Sequence, residues 1–483
     1  MTDIAFKSAT ELAGMIQDKQ IGCRELLDHC LDRVEKYDGD LNAIPVRDFD
    51  RARTRADAAD AALAKGEVWG PLHGVPMTIK ESYDIEGLPT CWGLEEHANS
   101  VATKDSVTVE RMKGAGVTLF GKTNVPVLLA DWQSYNPVYG STNNPWDTTR
   151  TPGGSSGGSA VALATGMSAI ESGSDIGASI RNPAHYCGVF GHKPTFGIVS
   201  PRGHALPGVM AQADISVVGP LARSAKDLDV ALDAMVGPAG PDANCWKVEL
   251  PACDKTKASE FKVAVMLTDK ICAQDDVMTA QLQGAVDALA KLGMQVDDTA
   301  RPDFDNAEYH ATYIRLLRAA TGGRTPPAIF NAMLEEAASV SDDDYSYSAL
   351  QAKGTTTRHR EWLTDNERRA HYREAWDSFF QDYDLLLCPT ASSTAFKHDQ
   401  KGDRKDRVIP INGKPESILD QMFWAGISGV AYLPSTVAPA GVCANGLPCG
   451  LQIVAPHGHD RRSIAFAAMM ERELGGFTPP PGY

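Results

Sequence analysis

The sequence predicts an α/β protein with a large mixed, mostly parallel central sheet covered by helices on both faces. Two observations favour this class. From Pro71 onward, short runs of β-prone residues alternate with stretches of helical periodicity, as expected for strands connected by helices. The chain has 483 residues, of which 43% are hydrophobic, so it has enough apolar side chains for one large core.

The N-terminal part of the chain is predicted to be helical. Ser8 can cap a helix in which the apolar residues Leu12 and Ile16 share one face. We expect residues 1–65 to pack as an N-terminal helical segment on the core of a single domain formed by residues 66–483.

The other elements follow from the length and periodicity of their apolar runs. Helices are predicted at residues 25–37, 48–65, 106–113, 279–292 and 462–474. Strands are predicted at residues 75–79, 117–120, 262–267, 294–296, 385–388, 433–437 and 450–454. We expect a catalytic core at about 71–223 and a mainly helical, substrate-shaping region at about 300–430. The mixed-charge patch at 397–407 is predicted to be a solvated loop.

Charge and hydropathy exclude several classes of protein. The net charge is −16 and there is no basic run, which is the opposite of the footprint that nucleic-acid binding needs. The first 20 residues lack the basic start and apolar core of a secretory signal, and no stretch approaches the roughly 20 apolar residues of a membrane span. The sequence therefore predicts a cytoplasmic monomer or homodimer that binds a small molecule, not nucleic acid or a membrane.

The cysteines do not indicate a metal or redox site. None of the ten forms a CxxC pair, and no histidine lies between Cys443 and Cys449. In a chain without a signal peptide such cysteines are expected to be reduced thiols. There is no HExxH motif or equivalent cluster, so we expect no metal and no cofactor.

Two stretches rich in glycine and serine stand out, at residues 152–159 and 174–181. The first differs from a phosphate-binding loop, because no lysine follows its glycines and no GxGxxG pattern is present. Both stretches offer serine hydroxyls beside small residues, which is the composition that nucleophilic catalysis needs.

Ser179, in the second stretch, is a candidate nucleophile. A serine hydroxyl needs a base within hydrogen-bond reach and donors for the oxyanion. The backbone N–H groups of Ile176, Gly177, Ala178 and Ser179 can form such an oxyanion hole, since Gly177 removes steric bulk. A plain helix N-cap at Ser179 is the alternative interpretation.

In order and spacing these stretches resemble the amidase signature family. The resemblance is strong over about residues 71–223 and weak elsewhere. Besides the two glycine-serine stretches it is carried by GVPMTIK at 74–80, GKTN at 121–124, NPVYG at 136–140, NNP at 143–145, RNPA at 181–184 and GHKPT at 191–195.

The resemblance implies a Ser–Ser–Lys catalytic arrangement. By motif, Ser179 is the nucleophile, Lys80 is the base, and Ser155 bridges them, held by a cis peptide bond after Gly154. Ser156 is the nearest competitor for the bridging role.

Other residues of the two stretches are expected to support the site. Gly153 allows the distorted backbone before the bridging serine. Asp175 is expected to pair with Arg181 and hold the loop in shape. Where the family usually has glycine, this chain has Ala178, whose methyl group is expected to narrow the range of acyl groups.

The base must be a neutral lysine. At an ordinary pKa of about 10.4, only about one lysine in 2,500 is neutral at pH 7. Burial lowers a lysine pKa, and the apolar neighbours Pro76 and Met77 predict an enclosed site for Lys80. A triad built on His185 or His192 is the alternative, although neither has a Gly-x-Ser-x-Gly context.

The sequence thus predicts an enzyme that hydrolyses linear amides through an acyl-enzyme. Leu128 and Trp132 lie where the resemblance places part of the acyl pocket, and Phe423, Trp424 and Ile427 form a second apolar cluster. Core packing is the alternative for both groups. They favour an uncharged aryl or alkyl acylamide, as for aryl acylamidases or broad-specificity amidases, with esters or carbamates also possible. The alternative within the family is the glutamine-hydrolysing subunit of a tRNA-dependent amidotransferase.

Overall fold

The computed structural model describes residues 4–483, in which helices and strands are interspersed along the chain. The helices are α1 (Ala9–Gln17), α2 (Cys23–Leu41), α3 (Phe49–Ala64), α4 (Val107–Gly114), α5 (Gly157–Ala164), α6 (Arg181–Cys187), α7 (Ala225–Met235), α8 (Asp276–Lys291), α9 (Asn306–Thr321), α10 (Pro327–Ser339), α11 (Tyr347–Thr355), α12 (His359–Asp382), α13 (Met422–Gly429) and α14 (Asp460–Leu474). The strands are β1 (Val46–Arg47), β2 (Pro76–Lys80), β3 (Thr118–Thr123), β4 (Tyr135–Asn136), β5 (Gly140–Ser141), β6 (Glu171–Asp175), β7 (Phe190–Lys193), β8 (Val217–Ala222), β9 (Lys262–Val265), β10 (Gln295–Asp297), β11 (Leu385–Pro389), β12 (Val408–Ile411), β13 (Lys414–Ser417), β14 (Ser435–Val442) and β15 (Pro448–Val454).

The main sheet has eight strands in the order β10-β9-β11-β15-β14-β7-β8-β6. This large mixed sheet with its helices confirms the α/β class. The expectation that most ladders are parallel is wrong, because only β10–β9 and β9–β11 are parallel and the other ladders of this sheet are antiparallel. The turn at residues 443–447 is too short for anything but an antiparallel pair of β14 and β15, since parallel strands need a long crossover.

Three strands of the main sheet, β6, β7 and β8, are absent from the sequence-based prediction. All three are fully buried. β6 reads ESGSD and has no β-branched or aromatic residue, and β7 reads FGHK, in which Phe190 is the one residue of that kind, so neither has the composition that marks a strand. Their strand conformation depends on neighbours that a local pattern does not contain.

A smaller sheet, in the order β1-β3-β2, brings the predicted catalytic segments together. β2 runs parallel to β3, and a bridge between Met77 and Ile170 places β2 parallel to the start of β6 as well. The carboxyl ends of adjacent parallel strands lie at one edge, where sites in α/β folds commonly form. The ends of β2 and β6 are therefore neighbours.

The N-terminal helices contribute side chains to the larger apolar cluster. Ser8 Oγ accepts the N–H of Glu11 at 3.1 Å, and the Glu11 carboxylate accepts the Ser8 N–H at 2.8 Å, so the predicted cap of α1 is confirmed. Leu12 lies in the same apolar cluster as Met77 of β2. A second apolar cluster contains residues of α9, α12 and α13. The domain boundary at residue 65 stays a prediction.

The segment at 397–407 is more than the solvated loop that the sequence predicts. Arg407 is 6% exposed, and its Nη1 lies 2.7 Å from Asp131 Oδ2. Its Nη2 also donates to the hydroxyl of Tyr135 at 2.9 Å. The contacts of Arg407 therefore hold this loop against residues 131–135.

Within residues 4–483, no helix is both long enough and apolar enough to cross a lipid bilayer. The ten cysteines are free thiols.

Candidate active site

Lys80 ends β2 and is fully buried. Its Nζ lies 2.6 Å from Ser155 Oγ and 2.9 Å from Ser174 Oγ. Ser156, the competitor for the bridging role, instead donates from its hydroxyl to the carbonyl of Ser174 at 3.5 Å. The structure thus brings Ser155 rather than Ser156 to the lysine.

Two glycines shape the loop that carries Ser155. Gly153 has a φ of +87°, which only glycine adopts readily. A Cβ at Gly154 would lie 2.3 Å from the carbonyl oxygen of Asp131, so no larger residue fits there. The peptide bond between Gly154 and Ser155 is cis. This is the arrangement that the resemblance implies.

Burial lowers the pKa of the Lys80 ammonium to about 7, although the nearby carboxyls of Asp175 and Glu171 act in the opposite direction. Burial likewise raises the pKa of Glu171 to about 8, so this carboxyl is largely protonated at neutral pH and adds little negative charge beside the lysine. A substantial fraction of Lys80 is therefore neutral near pH 7 and can accept a proton.

This environment predicts the pH dependence of the reaction. With Lys80 as the base that the resemblance implies, we expect kcat/KM for an amide substrate to fall about tenfold per pH unit below about pH 7 and to level off above it, because the ammonium form of Lys80 cannot accept a proton. The measurement is kcat/KM from about pH 5 to about pH 9. Burial lowers the pKa of His185 to about 4, so His185→Gln should keep the step in place. Loss of the step in that variant would contradict the lysine assignment.

Asp175 and Arg181 form a fully buried ion pair that shapes the loop before α6. Arg181 Nη2 lies 2.8 Å from Asp175 Oδ1, and Arg181 Nε donates to Oδ2 at 3.0 Å. Burial alone would raise the pKa of Asp175, but the Arg181 guanidinium and its hydrogen bonds hold this pKa below its ordinary value. Arg181 also donates to Gln452 at 2.6 Å, which anchors the loop to the main sheet.

One of the four predicted oxyanion donors, the N–H of Ala178, is already bonded to the Asp175 carboxylate, so that part of the prediction is wrong. The N–H of Ala178 donates to Asp175 Oδ1 at 3.0 Å, so it is not available to a substrate. Within residues 4–483, the N–H groups of Ile176, Gly177 and Ser179 have no hydrogen-bond partner. These three remain the candidate oxyanion donors.

Ser179 lies beside the loop that carries Ser155 and Ser156. Its carbonyl accepts the N–H of Ser156 at 3.1 Å, and the residue is 6% exposed. In the described part of the chain its hydroxyl makes no hydrogen bond, either to Ser155 or to another residue. The structure therefore places Ser179 against Ser156, the neighbour of Ser155 in the chain, with a hydroxyl that is free to meet a substrate.

Ala178 adopts a left-handed conformation, with a φ of +68°. This conformation costs a residue with a Cβ about 1–2 kcal/mol relative to glycine. The Ala178 methyl is buried in the second apolar cluster. The departure from the glycine that the resemblance implies thus strains the backbone at the turn before the candidate nucleophile, Ser179.

The predicted pocket residues fall into two groups. Trp132 donates from Nε1 to the carbonyl of Gly177 at 2.8 Å, so it lies on the loop of the candidate nucleophile, whereas Leu128 is 44% exposed. The others are buried in the second apolar cluster, which agrees with their core-packing alternative: Phe423, Trp424 and Ile427. Trp424, for example, donates to Gln274 Oε1 at 2.9 Å.

Three residues of the site were not predicted from the sequence. Ser174 contacts Lys80, and its position directly before Asp175 in the second stretch was the available signal. The hydroxyl of Tyr313 donates to the carbonyl of Ile176 at 3.0 Å. The Met422 methyl carbon would lie 3.5 Å from a Cβ built at Gly177. Tyr313 and Met422 have no local motif, so only the tertiary structure reveals them.

The two histidines considered for an alternative triad are engaged elsewhere. His185 Nδ1 accepts the N–H of Gly450 at 2.8 Å, and His192 Nε2 lies 3.1 Å from Asp460 Oδ1. Within residues 4–483, neither ring contacts Ser179 by a hydrogen bond. No group of three or more His, Cys, Asp or Glu side chains in that range is arranged to hold a metal ion.

Comparison with known proteins identifies related sequences and structures. The sequence model of the family described as Amidase matches residues 25–464. Indoleacetamide hydrolase of Bradyrhizobium diazoefficiens is 32% identical over 97% of this chain and 86% of its own length. A glutamyl-tRNA(Gln) amidotransferase subunit of a Synechococcus species is 30% identical over 96% of each chain. The crystal structure of a bacterial aryl acylamidase superposes with a TM-score of 0.80 at 25% identity, covering 97% of this chain and 96% of that one.

Proposed function

The chain belongs to the amidase family, and on that premise we propose that it hydrolyses the carboxamide bond of a linear acylamide through an acyl-enzyme on Ser179. The observation that carries the proposal is the contact of 2.6 Å between Lys80 Nζ and Ser155 Oγ in a fully buried setting. A lysine whose pKa burial lowers to about 7 is poised to act as a base near neutral pH.

The proposed reaction is a proton relay followed by two acyl transfers. Neutral Lys80 keeps one N–H directed to Ser174 and accepts the proton of Ser155 with its lone pair, while Ser155 accepts the proton of Ser179. The Ser179 oxygen attacks the carbonyl carbon, and the N–H groups of Gly177 and its neighbours stabilise the oxyanion. The relay returns the proton to the leaving nitrogen, and the amine departs. Water then attacks the ester with the same base, which releases the carboxylic acid and restores Ser179.

The substrate class follows from the residues around the carbonyl. Trp132, Tyr313 and Met422 surround Gly177 and offer aromatic and apolar contacts to an acyl group. The names of the relatives, indoleacetamide hydrolase and aryl acylamidase, agree with amides that carry aromatic groups. We propose an aryl or alkyl acylamide, with esters of the same acids as secondary substrates and carbamates as further candidates.

A second candidate function is that of a glutamine-hydrolysing subunit. The observation in its favour is the 30% identity to the amidotransferase subunit of Synechococcus, which extends over 96% of each chain. Such a subunit would need partner proteins for its full reaction. Rapid hydrolysis of simple amides by the purified chain alone favours the amidase.

Trapping of the acyl-enzyme tests the proposal. The purified chain is incubated with an anilide and an ester of the same acid in the presence of hydroxylamine. We expect a hydroxamate from both, in the same ratio to free acid, because both pass through the same intermediate. Ser179→Ala is the control and should give none. Different ratios from the two substrates, or hydrolysis of glutamine but of no simple amide, would contradict the proposal.

A further inference from the structure

Two segments of the chain donate hydrogen bonds to the loop that precedes Ser179. On one side Trp132 donates to the carbonyl of Gly177 at 2.8 Å. On the other side Tyr313 of α9 donates to the carbonyl of Ile176 at 3.0 Å. The loop that precedes Ser179 therefore lies between the segment around Trp132 and helix α9.

An arginine lies at each of these two segments. Arg404 donates from Nη1 to the carbonyl of Ala130, two residues before Trp132. Arg318 follows Tyr313 on α9, and its guanidinium lies 5.3 Å from the ring centre of Tyr347 and donates to the hydroxyl of that residue. Each cation thus lies at one of the two segments that contact the loop before Ser179.

The two arginines are close enough to affect each other. Burial lowers the pKa of Arg318, the Tyr347 hydroxyl opposes this, and the positive charge of Arg404 lowers the pKa further. Burial raises the pKa of Asp131, while the charges of Arg404 and Arg407 counteract it.

One nearby carboxylate does not balance the arginines. Asp131 Oδ2 lies 2.7 Å from Arg407 Nη1, while its buried Oδ1 has no hydrogen-bond partner in the described part of the chain. Within residues 4–483, neither Arg318 nor Arg404 forms an ion pair, and the buried Nε of Arg318 has no hydrogen-bond partner.

This arrangement is costly unless an anion occupies it. Like charges that are partly withdrawn from water repel each other, and a buried donor without a partner loses its hydration. Asp131 is the carboxylate placed here, and the charges of Arg404 and Arg407 both act on it, so one negative charge faces three positive ones when Arg318 is included. A planar carboxylate matches the paired donors of a guanidinium.

We propose that Arg318 and Arg404 form a carboxylate-binding subsite beside the loop that precedes Ser179, so that the preferred amide carries a carboxylate away from the bond that is cleaved. The inference rests on the proposed function of Ser179. It refines the uncharged substrate that the sequence suggests: the part of the substrate near Ser179 is apolar, and its outer end is anionic.

The test uses two substrate arms, because the carboxylate can lie on either side of the scissile bond. In the first arm it ends the acyl chain, as in monoanilides of dicarboxylic acids of increasing length. In the second it lies on the leaving group, as in N-acyl derivatives of 4-aminobenzoate. Each compound is paired with a neutral counterpart in which a methyl group replaces the carboxylate. We expect kcat/KM in one arm to exceed that of the neutral counterpart by about tenfold to a hundredfold, the scale of hydrogen bonds to a charged group.

Variants at the two arginines then show whether these residues cause the preference for the carboxylated substrate. Arg404→Gln and Arg318→Gln should each bring the ratio of carboxylated to neutral substrate close to one. Arg404→Glu should favour an analogue that ends in an ammonium group. Arg360→Gln removes the same charge from an exposed position on α12 and should leave the ratio as in the wild type. If Arg318→Gln does not fold, the variants at Arg404 alone test the proposal. The Arg404 side chain is partly exposed, so we expect its replacement to leave the fold intact.

A binding measurement separates this inference from the proposed function. Calorimetry on the Ser179→Ala chain gives Kd for the same compounds without turnover. Tighter binding of the carboxylated compound, lost in Ser179→Ala/Arg404→Gln, supports the subsite even if wild type hydrolyses no amide. Equal affinity for the carboxylated and neutral compounds in both arms, or a preference that survives in both glutamine variants, overturns it. Hydrolysis of neutral amides would still support the proposed function in that case.

Discussion

Replacing Ser179, Ser155 or Lys80 by alanine is expected to lower kcat/KM for an amide by about a thousandfold or more, and by up to about a millionfold for Ser179. Ser179→Ala removes the proposed nucleophile, Ser155→Ala interrupts the proposed proton path, and Lys80→Ala removes the proposed base, which Ser155 contacts at 2.6 Å. Because the three groups are proposed to act as one unit, the double variant Ser179→Ala/Lys80→Ala should be little slower than the slower single variant. Steady-state kinetics on the purified variants measure the effect.

Ser156→Ala is the matched control, because it removes a buried hydroxyl next to Ser155 that does not contact Lys80. It should retain activity within about tenfold of the wild type, well above the triad variants. Circular dichroism and urea unfolding show whether each variant folds. Near-normal activity of Lys80→Ala would exclude this lysine as the base.

Asp175→Asn is expected to lower the free energy of unfolding by about 3–5 kcal/mol, because it leaves the fully buried guanidinium of Arg181 without its counter-charge. The variant also weakens the acceptor for the N–H groups of Ala178 and Ile180. Urea denaturation near neutral pH measures the effect. Since Arg181 holds the pKa of Asp175 below its ordinary value, the stabilisation is complete above the ordinary pKa of about 4 and is lost as the pH falls further.

Asp57→Asn is the control for an ion pair at the surface. Asp57 lies 2.9 Å from Arg24, but both side chains are exposed to solvent, so we expect a change of about 1 kcal/mol or less. The double variant Asp175→Asn/Arg181→Met should recover part of the lost stability, because it removes the unpaired charge. A loss below about 1 kcal/mol for Asp175→Asn alone would show that the pair does not hold the loop.

Much of the secondary structure could be predicted from local pattern. Ser8, Leu12 and Ile16 were enough to place the first helix, since a capping serine and helical apolar spacing are local properties. β6 was missed because ESGSD resembles a loop when its neighbours are unknown. The direction of the ladders was also predicted incorrectly, because strand pairing is decided between distant parts of the chain.

The sequence by itself determined the candidates for chemistry. Lys80, Ser155 and Ser179 lie in ordered motifs whose glycines permit a distorted backbone, and these motifs are visible along the chain. The tertiary structure decided which groups around them are available. It commits the Ala178 N–H to Asp175, and it brings Arg404 to Ala130 across a separation of 274 residues. The physical reason is that hydrogen bonds and charge pairs between distant segments depend on how the strands and helices pack, and no local pattern encodes that packing.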